Sequence, residues 1–280
     1  MRAIFVNNRS GKPGFTLVEV MVVAPLVLMI ISAIVVYMSI LTGESLRVNT
    51  KNAMSVEVQE ALNMIEIDAS RSIQFLESTG SLSTPQGIDN NTAAFTSNGT
   101  GYKALILRSA ATTKDYLNPE RNLVYYANKP NPCGLPNSIE RSRNNVLTTT
   151  LVYFTKTSGE KTSLWKRTIL PTWNTSSPAD THTVCDRPWQ QNSCAPDFTW
   201  PSGSRCVSKD QELVQNIKDF SITYYSDASS TTGESNPTPS MRTVEVKIST
   251  EKTVTGEAIG QKGEVNVTRE NYASANLTTP

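Results

Sequence analysis

The stretch GKPGFTLVEVMVVAPLVLMIISAIVVYMSIL, Gly11 to Leu41, decides how this chain is read. From Phe15 to Leu41 the only charged residue is Glu19. At ~1.5 Å per residue, a helix of that length crosses a ~30 Å hydrocarbon core. Residues 1–14 carry Arg2, Arg9 and Lys12 and no acid, which holds them on the cytoplasmic side. A cleaved secretory signal is built differently: its apolar centre is about 7–15 residues long, and a small-residue cleavage site follows it. Here the small pair, Pro13-Gly14, precedes the apolar run. A cut at that point removes the basic leader and keeps the hydrophobic helix.

Glu19 then becomes the residue to explain. A carboxylate at the centre of a lipid-embedded helix costs roughly 2.5–3.5 kcal/mol and calls for a partner or a function. If the chain is cut between Gly14 and Phe15, a new cationic amine appears four residues, or one helical turn, before Glu19. The two charges can pair within one chain, or between neighbouring chains. The plainer alternative is an uncut anchor with Glu19 in the headgroup zone. Pro25, inside the run, removes a backbone donor and predicts a kink or unwound turn over Met21 to Pro25.

Helical spacing continues past the span. In Glu44 to Ser78, apolar residues fall at Met54, Val58, Ala61, Leu62, Ile65, Ala69, Ile73 and Leu76, three or four apart, leaving Glu57, Glu60 and Arg71 for water. Gly43 offers a bend between an anchor half and an amphipathic half, with two separate helices as the alternative. Thr79 to Gly101 reads as turn-rich loop. Short strand-like runs follow: YKALILR from Tyr102, NLVYYAN from Asn122, LTTTLVYFTK from Leu147 and SLWKRTIL from Ser163. Phe220, Ile222 and Tyr224 fall on one face of a later run, and Val244, Val246 and Ile248 on one face of the next. The expected class is α+β, a long N-terminal helix packed on an antiparallel sheet domain. The expected organisation is a leader over 1–14, a membrane-spanning helix over 15–43, an amphipathic helix over 44–78 and a β-rich domain over 79–280.

All four cysteines lie in the later part, and an even count there suits disulfides formed in an oxidising compartment. Four cysteines allow three pairings; local closure favours Cys194–Cys206 and Cys133–Cys185. A metal site is not expected, since no Cys-x-x-Cys occurs and the one histidine is His182. Pro130 to Arg143 and Thr172 to Cys206 read as loop insertions. The second carries Trp173, Trp189, Trp200 and three of the cysteines, and suits either a contact surface or a small satellite core. Net charge is +1 with 18% charged residues, and no basic patch interleaved with aromatics is visible, so nucleic acid is not an expected partner. Catalysis is not expected either. His182 stands in a polar loop with no nucleophile elbow, and SGEKTS at Ser158 to Ser163 lacks the first glycine of a phosphate-binding loop. No cofactor is called for.

GFTLVE, Gly14 to Glu19, resembles the processing site of type IV prepilins and type II secretion pseudopilins, where basic leader, glycine, phenylalanine, glutamate and apolar helix follow in this order. The resemblance implies cleavage after Gly14 by a prepilin peptidase, N-methylation of Phe15, and a role for Glu19 as charge partner of a neighbouring subunit's amine. It implies a type IV pilin-like fold and an inner-membrane, single-pass precursor that passes into an extracytoplasmic filament. Its partners are then the peptidase, other major and minor pilins, and an inner-membrane assembly platform. SLWKRTI, ELVQNIKDFSITYYSD, MRTVEVKIST and VNVTREN follow the order seen in PilW/GspJ-type minor pilins, a looser likeness over about half of the exported domain. A minor subunit at a filament tip or initiation complex is therefore expected. The pseudopilin of a secretion or competence system and a tip adhesin stand as the alternatives.

Overall fold

The computed structural model describes residues 16–80, 94–99, 102–126, 146–171, 184–196, 206–254 and 257–268. The chain divides into two units, 1–50 and 51–280, and one helix, α1 (Leu17–Ser70), contributes to both. In the first unit α1 is helical without interruption through Pro25 and Gly43. The unwound turn expected over Met21 to Pro25 is therefore absent, as is a break at Gly43. Proline deletes one donor, and the turns on either side keep theirs, so one missing bond does not end the helix. Positive φ among the described glycines is confined to Gly80 and Gly159, so Gly43 keeps an ordinary helical backbone.

In the second unit α1 buries Met54, Val58, Ala61, Leu62, Ile65 and Ala69, the stripe that three-and-four spacing predicts. The same face also buries Asp68. The helix ends at Ser70, short of the expected Ser78, and β1 (Ser72–Phe75) replaces its last turns. Ser72 Oγ donates to the Ala69 carbonyl at 2.7 Å as the helix closes. Beyond it, Ser-Ile-Gln-Phe pairs with the next strand and drives Phe75 into the core, so tertiary pairing overrides the helical spacing of Ile73 and Leu76.

The remaining strands are β2 (Ala104–Ala110), β3 (Thr148–Ser158), β4 (Lys161–Ile169), β5 (Ser193–Cys194), β6 (Ser208–Lys209), β7 (Gln211–Val214), β8 (Ile217–Tyr225), β9 (Thr243–Val254) and β10 (Glu257–Thr268). They form an antiparallel sheet ordered β1-β2-β3-β4-β7, an antiparallel sheet ordered β10-β9-β8, and a short parallel pair, β5-β6. β3 and β4 join through Gly159-Glu160, with Ser158 facing Lys161 and Gly159 at φ 62°, a two-residue hairpin turn that needs the left-handed region. The described part of the run from Asn122 makes isolated bridges, Leu123 with Thr112, Tyr125 with Val146 and Tyr126 with Val184, where a strand was expected.

The five-stranded sheet is covered on both faces. Leu105, Leu107, Leu151, Tyr153 and Leu164 join α1 and the three-stranded sheet's Phe220, Tyr224, Val244, Val246 and Ile248 in one core. Ala104, Ile106, Val152, Phe154 and Ile169 join Phe95 in a second core on the opposite face. Burial on both faces explains why ALIL and LVYF read as continuous apolar runs, while the later strands alternate. The α+β class holds.

Candidate functional site

α1 opens with a reciprocal cap. The Thr16 amide and Thr16 Oγ1 each donate to Glu19 Oε2 at 2.9 Å, and the Glu19 amide donates back to Thr16 Oγ1 at 3.2 Å. Thr-Leu-Val-Glu is thus a capping box, in which hydroxyl and carboxylate satisfy donors that a helix start leaves open. The carboxylate is also well placed at the positive end of the helix dipole. Gly14 and Phe15, the expected cleavage and methylation positions, lie outside the described residues. The Thr16-x-x-Glu19 spacing of a capping box is legible in the sequence itself, though it was not among the features expected above.

Downstream of the cap, the large apolar side chains from Leu17 to Leu41 are all exposed. The interruptions are polar groups that satisfy themselves. Ser32 Oγ donates to the Met29 carbonyl at 2.8 Å, Ser39 Oγ to Val35 at 2.9 Å, and Thr42 Oγ1 to Met38 at 2.8 Å. Hydroxyls turned back on their own helix leave little unpaired polarity for a hydrocarbon to meet. By length and composition α1 is able to cross a membrane.

In the second unit, neighbouring residues of β4 send charges to opposite faces of the sheet. Lys166 Nζ lies 2.6 Å from Asp68 Oδ2 on the helix side, and the Tyr153 hydroxyl donates to the same carboxylate oxygen. Burial, and then the Asp68 charge beside it, pushes the Tyr153 phenol well above its ordinary value. On the other face Arg167 Nε donates to both carboxylate oxygens of Asp210 at 3.0 Å, with both side chains 1% exposed. The Arg167 guanidinium also lies 5.3 Å from the ring centres of Phe95 and Phe154. None of these ion pairs was read from the sequence. Asp68 had a signal, since it lies three residues after Ile65 on the apolar stripe; Asp210 had none.

Cys194 and Cys206 are bonded to each other, as expected, with Cα atoms 5.7 Å apart. Cys185 is also in a disulfide, and its expected partner, Cys133, lies outside the described residues. The segment expected as an insertion is partly structural: Gln190 and Asn192 to Ala195 are buried. Gln190 is locked to Thr112, accepting from its amide at 3.0 Å and donating to Oγ1 at 2.9 Å, while the Trp189 amide donates to the Thr112 carbonyl at 2.7 Å. Trp189 is 53% exposed, so it fills no satellite core. Trp173, Trp200 and His182 lie outside the described residues. Compared with protein-family models, with curated proteins and with solved structures, the chain finds no match.

Proposed function

We propose that this chain is a prepilin-type subunit, resembling the PilW/GspJ minor pilins, that is cut after Gly14, N-methylated on Phe15 and assembled into an extracytoplasmic filament through α1. The observation that carries this reading is an apolar, exposed helix start with one carboxylate in its first turn, directly after Gly14-Phe15. Before assembly the Thr16 donors hold that carboxylate, so the membrane-resident chain carries no unsatisfied acid. During assembly the cationic amine of a docking subunit is a stronger partner than a neutral hydroxyl. A subunit in the wrong register leaves charge unpaired in a dry helix bundle at a cost of several kcal/mol, which selects the correct register.

The pseudopilin of a secretion or competence system, which resembles a pilin in this same helix start, is the second reading. The test is substitution of Glu19 by Ala in the native cell. The variant is expected in the membrane fraction at wild-type level and depleted at least tenfold from sheared filaments. Wild-type incorporation of Glu19→Ala overturns the charge-pairing reading.

A further inference from the structure

The chain contains one asparagine followed by glycine, Asn98-Gly99, and the structure fixes the two residues for separate reasons. Asn98 stands on the approach to β2, and its exposed side chain reaches the connection between β8 and β9. Its Nδ2 donates to Asn236 Oδ1 at 2.6 Å and to the Ser235 carbonyl at 3.3 Å. Ser97 Oγ adds a third bond, to Asn236 Oδ1 at 3.3 Å. The segment they hold is bridged to β8 through Glu234 and Tyr224, each amide donating to the other's carbonyl, so these bonds clasp the approach to one sheet against the other sheet. Gly99 is set by Tyr102. A Cβ at position 99 would overlap the Tyr102 ring, which is held edge-on against Phe95 while its hydroxyl accepts from the Thr96 amide at 3.1 Å. The Tyr102 amide closes the turn on the Gly99 carbonyl at 3.3 Å.

Side by side, the two residues are reactive. Glycine has no Cβ to shield its backbone nitrogen from the preceding side chain. Among the described residues the Gly99 amide donates to no acceptor and Asn98 Oδ1 accepts from no donor, which leaves the nitrogen and the side-chain carbon of one dipeptide open to each other. Other described asparagines differ. Asn236 precedes Pro237, which has no amide proton, and Asn192 Oδ1 is held by the Leu170 amide. Asn122 and Asn216 precede the bulkier Leu123 and Ile217. We propose that Asn98 is a site of spontaneous modification, converted through a cyclic imide with Gly99 to aspartate and iso-aspartate, and that conversion undoes its hold on Ser235 and Asn236. The Gly99 nitrogen gives its proton to water or hydroxide and bonds to Asn98 Cγ; the Cγ–Nδ2 bond breaks, and ammonia leaves with a proton. Water then opens the imide at either carbonyl. The net change is one water taken up and one ammonia released, with no oxidant or reductant. The new carboxylate has only acceptors to offer, and it faces two more, Asn236 Oδ1 and the Ser235 carbonyl. Opening at the backbone carbonyl also inserts one carbon into the main chain between residues 98 and 99. The clasp is thus lost with age, at a position that Tyr102 restricts to glycine.

The test is timed incubation of the full chain in detergent, at neutral and at mildly alkaline pH, followed by peptide mass spectrometry that separates iso-aspartate from aspartate. Asn98 is expected to convert at least tenfold faster than Asn122, Asn192, Asn216 or Asn236, with iso-aspartate in excess. The rate should rise with pH, since the Gly99 amide must lose its proton. Conversion no faster than at those four sites overturns the proposal. So does aspartate as the sole product, which direct attack by water would give. Amide hydrogen exchange reads the clasp. In Asn98→Asp, and in wild type aged to conversion, the Glu234 amide should exchange roughly tenfold faster, the scale of losing one or two such hydrogen bonds, while amides joining β2 to β3 stay as slow as before. Unchanged exchange at Glu234 in both samples would overturn the loss of the clasp.

Discussion

Glu19, Tyr224 and Asp68 are polar groups in apolar surroundings, and each is handled differently. Glu19 is held by Thr16 from its own helix turn. Asp68 is held across the core by Lys166 and Tyr153. Among the described residues the Tyr224 hydroxyl, fully buried against Phe75, has no hydrogen-bond partner. An unsatisfied buried hydroxyl costs about 1–3 kcal/mol. Tyr224→Phe is therefore expected to leave stability unchanged or raise it by up to about 2 kcal/mol in denaturant titration at neutral pH. Burial also raises the Tyr224 phenol above its ordinary value of about 10. The folded chain holds that proton at pH values where the unfolded chain releases it. The corresponding stability is complete below about pH 10 and is lost as pH rises toward the folded value. The same substitution should make the loss of stability above about pH 10 less steep, and a loss as steep as in wild type would contradict this assignment.

At the scale of elements, α1 is where the sequence says most. The stripe from Met54 to Ala69 follows from 3.6-residue periodicity, and the span from Phe15 to Leu41 from length and hydropathy; both are local properties. The end of α1 was illegible for the opposite reason. Ser72 to Phe75 turns into strand because β2 offers Arg108 and Leu107 as pairing partners, residues far away in the chain. Pro25 misled by carrying a local rule that a long helix absorbs. Asp68 shows the limit of binary patterning, since its place on the stripe is visible but its partner on β4 is not. Removing one member of a buried ion pair leaves the other charge uncompensated, at about 3–5 kcal/mol. Asp68→Ala should therefore cost about 3–5 kcal/mol in denaturant titration, and Asp68→Ala/Lys166→Met much less. Equal costs for the single and double variants would show that Lys166 is satisfied elsewhere.

Across the whole molecule, the α+β class and half of the ten described strands were legible, because β2, β3, β4, β8 and β9 each carry their own apolar run. Strand order was not. The placing of β7 beside β4, and of β8 in a separate sheet with β9, depends on pairing between distant residues. Nor was the Arg167–Asp210 pair legible, because it joins β4 to a residue 43 positions further along the chain. The function proposed here requires more than the fold: it requires that the apolar helix begin at a charged amine. An uncut chain presents Met1 and the basic residues Arg2, Arg9 and Lys12, and leaves Glu19 with Thr16 alone. The measurement that decides this is N-terminal peptide mass analysis of the protein isolated from its native cell. The predicted result is a first residue of Phe15 carrying one methyl group on its amine; material that begins at Met1 with the leader intact would contradict the account.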